Sequence, residues 1–165
     1  MIATFPEQRE AKRLALLDAV EGLRDVFLAG SDEAEETGTL PQATVDAIYE
    51  SGLFSFKTPQ VLGGAEADPM IQLDVIEAAS RIEPSAGWCL MIGAGSLANL
   101  SAFLPGEAID EIFAGGKAPM AAGVAAYSGE ATPVEGGIPG QRHVGLWKRH
   151  PAFPMGYRRG HGDRR

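Results

Sequence analysis

Apolar residues recur every three or four positions from the N-terminus to about residue 114. This spacing predicts a series of amphipathic helices, because it places the apolar side chains on one face of each helix. The first helix is predicted over residues 6–36, with Gly30 as the position where it would kink or break. Its apolar stripe comprises Leu16, Val20, Leu23 and Phe27.

Prolines and polar caps predict where the next two helices begin. Pro41 suits the first turn of a second helix that ends near Gly52, and Asp68 followed by Pro69 is a strong start for a third. Residues 53–58, between these helices, alternate apolar and polar positions and predict a short extended segment. The predicted buried side of the third helix comprises Met70, Leu73, Ile76 and either Ala79 or Ser80.

Residues 85–106 form the most apolar stretch of the chain and carry no charge. They predict a buried central helix over 86–104. The alternative is a strand over 88–92 that turns through Gly93-Ala94-Gly95 into a helix, which would make a Rossmann-like nucleotide-binding module. The next helix break follows too soon for a crossover helix, and no earlier alternation of strands and helices prepares a parallel sheet. The central helix is therefore favoured.

The central helix is also long enough to cross a membrane. Its several glycines, together with Ser96, Asn99 and Ser101, make it too polar for lipid, so no membrane span is predicted. Ser85 is expected to cap this helix. A further short helix is predicted over residues 105–113.

The pattern changes after residue 117. Residues 120–127 and 131–134 form short apolar runs separated by turn residues, which is typical of strands. Helices followed by strands predict a mainly α protein, α+β as far as the chain extends, whose sheet has only begun. The predicted organisation is a helical domain over 1–117, the start of a β domain over 118–137 and a basic tail over 138–165.

Charge separates the tail from the rest of the chain. The formal net charge is -8, yet residues 138–165 hold seven of the 14 Lys and Arg, all three histidines and one of the 22 acidic residues. The single cysteine, Cys89, excludes an internal disulfide and a Cys-based zinc site. The polar N-terminus lacks a signal-peptide pattern, and together with the cysteine content it predicts a cytoplasmic protein.

Several motifs together resemble the N-terminal helical domain of acyl-CoA dehydrogenase-type flavoproteins. They are Gly52-Leu53-Phe54, then Pro59 and Gly63-Gly64, a helix ending at Ser80-Arg81, and Ser85-Ala86-Gly87-Trp88. The Ser-x-Gly-Trp form is most similar to the branch that contains the oxygenase components of two-component flavin monooxygenases. In this family the helical domain leads into a β-barrel and a C-terminal bundle. The resemblance implies that the predicted strands open the barrel.

The resemblance also implies a cofactor and a set of site residues. The family holds FAD, or uses reduced FMN, between the barrel and the C-terminal bundle, with substrate between the helices and the flavin ring. Trp88 and Ser96 would then face the substrate pocket, and Ala126, Tyr127 and Ser128 would meet the flavin. Core packing is the alternative for Trp88, and a satisfied hydroxyl for Ser96. No catalytic residue and no metal ligand is assigned.

Two reactions are compatible with the resemblance, namely acyl-CoA dehydrogenation and hydroxylation by reduced flavin. The implied partners are a small-molecule or acyl-CoA substrate, an electron-transfer or flavin-reductase protein, and further copies in a homo-oligomer. Phenol-hydroxylating members carry a histidine near position 96, where this chain has Ser96. This difference argues against phenol hydroxylation.

The tail departs from the family pattern after Gly137. One permitted back-translation of residues 138–157, read one base later, gives YRVSGTWAFGSGIRHSQWVT, which is similar to the family strand expected there. We therefore hypothesise a one-base frameshift near Gly137, a disordered tail and an inactive fragment. The alternative is a helical interaction module with a genuine basic tail. Nucleic-acid binding is not predicted, because the acidic remainder of the chain would repel it.

Overall fold

The computed structural model describes residues 5–114, 118–122, 129–131, 134–135 and 140–142. Within these residues, helices pack around a shared apolar core, and a short strand pair follows them. The helices are α1 (Arg9–Glu21), α2 (Arg24–Ala29), α3 (Ser31–Thr37), α4 (Gln42–Glu50), α5 (Pro69–Ile82), α6 (Pro84–Phe103) and α7 (Gly106–Phe113). The strands are β1 (Gly129–Ala131) and β2 (Gly140–Arg142). The predicted mainly helical fold is confirmed.

The predicted long N-terminal helix is interrupted twice. Its first interruption, at Gly22 and Leu23, was not predicted, whereas the break at Gly30 is confirmed. A Cβ at residue 30 would lie 2.7 Å from Thr44 Oγ1, so the missing side chain lets α4 approach this turn closely. The predicted apolar stripe is confirmed, since all its members are buried: Leu16, Val20, Leu23 and Phe27.

The prediction of an extended segment over residues 53–58 is wrong. Leu53–Ser55 forms a 3₁₀ turn, which begins after Gly52 at a φ of 78°. Only glycine adopts such a left-handed conformation at low cost, so the chain turns sharply here instead of extending. The turn buries Leu53 and Phe54 in the core, beneath α4 and α6.

Helix α5 begins where the sequence predicts. The Asp68 carboxylate accepts hydrogen bonds from the amides of Met70 (2.9 Å) and Ile71 (3.2 Å), and Pro69 occupies the first turn. Asp68 also forms an ion pair with Arg9 of α1, at 2.7 Å from Nε. The start of α5 is thereby attached to the first helix.

The buried face of α5 differs from the predicted one. Met70 and Leu73 are both 60% exposed, so their prediction as core residues is wrong. The fully buried residues of α5 are Ile71, Val75 and Ala79, of which only Ala79 was predicted, while the predicted Ile76 is partly buried against the core. Helix α5 carries two apolar stripes. Contact with α1 and α6 buries the stripe that contains Ile71, Val75 and Ala79.

Residues 84–103 form one continuous helix, which confirms the predicted central helix. The Rossmann-like alternative is wrong, because residues 88–92 are not a strand and Gly93-Ala94-Gly95 lies inside the helix, not in a turn. The expected cap at Ser85 is also wrong. Glu83 is the cap, its carboxylate accepting a hydrogen bond from the Ala86 amide, since Pro84 already occupies the first turn.

The strand pair begins the β part of the chain. β1 pairs antiparallel with β2, with Gly129 opposite Arg142. Residues 120–122 do not form the start of the strand predicted over 120–127, and the rest of that segment lies outside the described residues. Because β2 belongs to the basic tail, the prediction of a disordered tail does not hold for Gly140–Arg142.

Candidate functional site

The candidate site lies along the uncovered side of α6. The buried residues of this helix form one stripe: Ala86, Gly87, Leu90, Gly93, Ala94 and Leu97. Trp88 lies about 180° around the helix from Leu97, and its side chain is 58% exposed. Among the described residues the helix is thus buried along one side, whereas the sequence predicted packing on several sides. Its length and composition would suit a membrane span, but core helices of soluble proteins share these two features.

Trp88 and Ser96 lie on neighbouring parts of this helix. Eight residues separate them, which places Ser96 about 12 Å further along the axis and about 80° around it. Ser96 is half-buried at the edge of the uncovered side. The nominated flavin contacts, Ala126, Tyr127 and Ser128, lie outside the described residues.

Lys57 is a further residue at this site, and the sequence reasoning missed it. A Cβ at Gly95 of α6 would lie 4.0 Å from Lys57 Nζ. Gly95 is seven residues after Trp88 and therefore lies on nearly the same side of the helix. Lys57 also lies with its Nζ 5.4 Å from the centroid of the Phe56 ring. Its one visible signal in the sequence is a single cation in the otherwise uncharged run Leu53–Thr58.

Backbone hydrogen bonds on both sides of Lys57 hold it against α6. The Phe56 carbonyl accepts a bond of 3.0 Å from the Ala67 amide, and the Thr58 carbonyl accepts one of 2.9 Å from Glu66. The loop can close this tightly because of Gly64, where a Cβ would lie 2.1 Å from the Thr58 oxygen. Gly64 of the sequence motif therefore permits the loop geometry that positions the backbone of Lys57.

The electrostatic environment of Lys57 is unusual for a cation. Burial lowers the pKa of its ammonium below the ordinary value of 10.5. Within the part of the chain that the structure describes, no carboxylate lies at ion-pair distance from it. The charge is thus partly desolvated, and the face of the Phe56 ring offsets part of this cost.

Cys89, the residue after Trp88 in α6, carries a free and partly buried thiol. Burial raises the pKa of its thiol to about 11, with a smaller contribution from the nearby Glu83 carboxylate. The thiol is therefore protonated near neutral pH and is a poor nucleophile. Among the described residues, no three His, Cys, Asp or Glu side chains come together as a group that could hold a metal ion.

Comparison with known proteins gives a consistent result. The sequence profile for "Acyl-CoA dehydrogenase, N-terminal domain" matches residues 10–104. The chain is 30% identical over 125 residues to the pigment production hydroxylase of Rhodococcus sp., covering 76% of this chain and 32% of the hydroxylase. It is 28% identical over 85 residues to HsaA, the oxygenase subunit of a flavin-dependent monooxygenase of Mycobacterium tuberculosis, covering 52% of this chain and 21% of HsaA.

A solved structure has the same helical arrangement. XiaF from Streptomyces sp., in complex with FADH2 and glycerol, matches with a TM-score of 0.71 and 33% identity, over 76% of this chain and 32% of XiaF. These matches confirm the resemblance predicted from the sequence motifs, and they confirm reduced flavin as a cofactor of the family. The chain spans no more than 32% of the length of these relatives.

Proposed function

Since the chain belongs to the acyl-CoA dehydrogenase family through its N-terminal helical domain, we propose that it supplies the helical wall of the substrate pocket in a flavin-dependent monooxygenase. The observation that carries this proposal is its 30% identity, over 76% of the chain, to a hydroxylase. The similarity to a monooxygenase oxygenase subunit and to indole-3-acetate monooxygenase supports hydroxylation over acyl-CoA dehydrogenation.

The uncovered side of α6 is the proposed substrate wall. Reduced flavin, when bound, would supply the electrons that activate dioxygen. Trp88 would offer an exposed aromatic face to the substrate, and the half-buried Ser96 hydroxyl would donate a hydrogen bond to it. The flavin contacts are proposed at Ala126, Tyr127 and Ser128, as the family resemblance implies.

A partner protein and self-association complete the proposal. HsaA is described as an oxygenase subunit, which supports a separate protein that delivers reduced flavin or electrons. A homo-oligomer and a cytoplasmic location are proposed on the same family grounds. Since the chain spans about a third of the hydroxylase, these 165 residues alone are proposed to be inactive.

The frameshift near Gly137 is part of the same proposal. It is supported by the reversal of charge over residues 138–165, which hold seven Lys and Arg but one acidic residue. Sequencing the coding DNA from Ala131 onward tests it. A shifted frame that continues into a barrel and a helical bundle is expected. A downstream region with no such continuation in any frame would overturn the frameshift.

A domain exchange tests the proposed reaction. Residues 10–104 would replace the matching segment of the Rhodococcus hydroxylase, and pigment formation would be measured with reduced flavin and dioxygen. The hydroxylase without its helical segment is the control. We expect the chimera to form pigment above this control and to have no dehydrogenase activity on acyl-CoA compounds with an artificial electron acceptor. Dehydrogenation without hydroxylation would contradict the proposal.

A further inference from the structure

The geometry points to Lys57 as the residue that binds the carboxylate of a small aromatic acid on the uncovered side of α6. This inference rests on the proposed function only in naming that acid as the substrate. The binding itself is a property of the helical residues and needs no flavin. It assigns the site a substrate class, small aryl carboxylates, and gives Lys57 a role in specificity.

The position of Lys57 is the first argument. Its Nζ lies 4.0 Å from where a Cβ of Gly95 would be, so the ammonium lies over a part of α6 that carries no side chain. Residues on either side of Lys57 are held by backbone hydrogen bonds to Glu66 and Ala67. The backbone of Lys57 is therefore fixed beside an open part of the helix surface, so that only its side chain needs further ordering when a ligand binds.

The second argument is that the Lys57 ammonium has no anionic partner among the described residues. A desolvated ammonium is stabilised by an anion that accepts its hydrogen bonds, and such charge-assisted bonds are among the stronger ones in proteins. The described residues place no carboxylate at ion-pair distance from Lys57. The lowered pKa of the ammonium, which results from burial, agrees with the absence of such a partner among the described residues. A ligand carboxylate would supply what the described protein does not.

Trp88 indicates the rest of the ligand. Trp88 is exposed, and its Cα lies on the same side of α6 as that of Gly95, about 10 Å away along the helix axis. The helix surface between them consists of apolar and small residues, from Cys89 to Ala94. An aromatic ring that packs against Trp88 could therefore extend a short acidic chain to Lys57. Aromatic side chains favour such offset or edge-to-face packing with another ring.

The test measures binding of 3-phenylpropionate and its neutral amide to the purified 165-residue chain by NMR titration. We expect the acid to bind at least about tenfold more tightly than the amide, the size of effect expected for one charge-assisted hydrogen bond. Lys57→Met should remove this preference while the amide binds as before. Inorganic phosphate is tested in parallel, to separate a carboxylate site from a general anion site.

Two variants at Gly95 provide a matched comparison. Gly95→Asp would place a carboxylate beside Lys57 and is expected to abolish the preference for the acid. Gly95→Asn has the same shape without the charge and should keep the preference within about threefold. This pair separates the charge effect from any change in folding, because both residues have similar helix propensities.

Three outcomes would overturn the inference. They are equal binding of acid and amide, no binding of either, or equal loss of the preference in the Asp and Asn variants. Tighter binding of phosphate than of the acid would contradict the assignment to an aromatic carboxylate. The domain exchange measures hydroxylation, whereas the NMR titration measures binding. A negative result in one experiment therefore does not decide the result of the other.

Discussion

Gly87 of α6 lies directly against the backbone of Ser80 on α5. A Cβ at residue 87 would be 2.2 Å from Ser80 Oγ and 2.8 Å from both Cα and N of Ser80. Real Cβ atoms essentially never approach other atoms below 3.0 Å. This glycine therefore sets how closely α5 and α6 pack, and it gives a physical reason for the glycine of the Ser-x-Gly-Trp motif.

Gly87→Ala is expected to destabilise the protein by about 1–3 kcal/mol, the usual cost of overpacking. This loss should appear in urea unfolding despite the better helix propensity of alanine, which favours the variant by about 1 kcal/mol. Gly95→Ala in the same helix is the control, since its Cβ would make only an ordinary contact. Adding Ser80→Ala should rescue Gly87→Ala only in part, because the clash with Oγ is removed but the clash with the Ser80 backbone remains. A full rescue would show that the hydroxyl, and not the backbone, sets the approach of the two helices.

Gly64→Ala is expected to disturb the loop that holds Lys57. Its Cβ would lie 2.1 Å from the Thr58 carbonyl oxygen, which is backbone and cannot move aside cheaply. Gly38→Ala provides the comparison, because Gly38 has a φ of 67° but open space around it, so only backbone strain of about 1–2 kcal/mol is expected there. Urea unfolding should give the larger loss for Gly64→Ala. Equal losses would contradict the steric argument.

Cys89 is expected to react slowly with iodoacetamide in the folded protein. Burial raises its thiol pKa to about 11, from an ordinary value of 9.0. At about pH 8 the alkylation rate should be about 10- to 100-fold below that of the unfolded chain in urea. The rate should continue to rise with pH to about 11. A rate that levels off near pH 9 would exclude the raised pKa, even if the thiol reacted slowly.

The Asp68 carboxylate predicts an acid-dependent loss of stability. Its pKa lies below the ordinary value of 3.8, chiefly because Arg9 donates to it and also because the amides of Ile71 and Met70 do. A depressed carboxyl pKa stabilises the folded state above the ordinary pKa, and this contribution is lost as pH falls through the folded value. Wild type should therefore melt higher than Asp68→Asn near pH 6, and the difference should shrink below pH 3.8.

The control for this prediction is Arg9→Gln. In that background Asp68→Asn should change the melting temperature less, because the main cause of the lowered pKa has been removed. An undiminished effect of Asp68→Asn would show that the helix amides, and not Arg9, stabilise the carboxylate.

The sequence by itself determined where α5 begins and which family the chain resembles. Asp68 with Pro69 marks a helix start through local hydrogen bonding and a fixed φ, and neither depends on distant contacts. The stripe from Leu16 to Phe27 is buried as predicted, because a single apolar face leaves the helix one way to pack. Motif order alone also identified the helical domain that the profile match confirms.

Tertiary contacts decided the features that the local sequence pattern did not determine, namely the buried face of α5 and the conformation of residues 53–58. On α5 two apolar stripes compete, and contact with α1 and α6 buries Ile71 while leaving Met70 exposed. Alternation over Leu53–Thr58 suggested an extended segment, but the chain turns after Gly52, and hydrogen bonds from the amides of residues 65–67 hold the turned segment in place. The close approach of Lys57 to Gly95 depends on the packing of the helices and on the fold of this segment. Sequence periodicity describes one element at a time, whereas this contact arises only when a loop and a helix pack together.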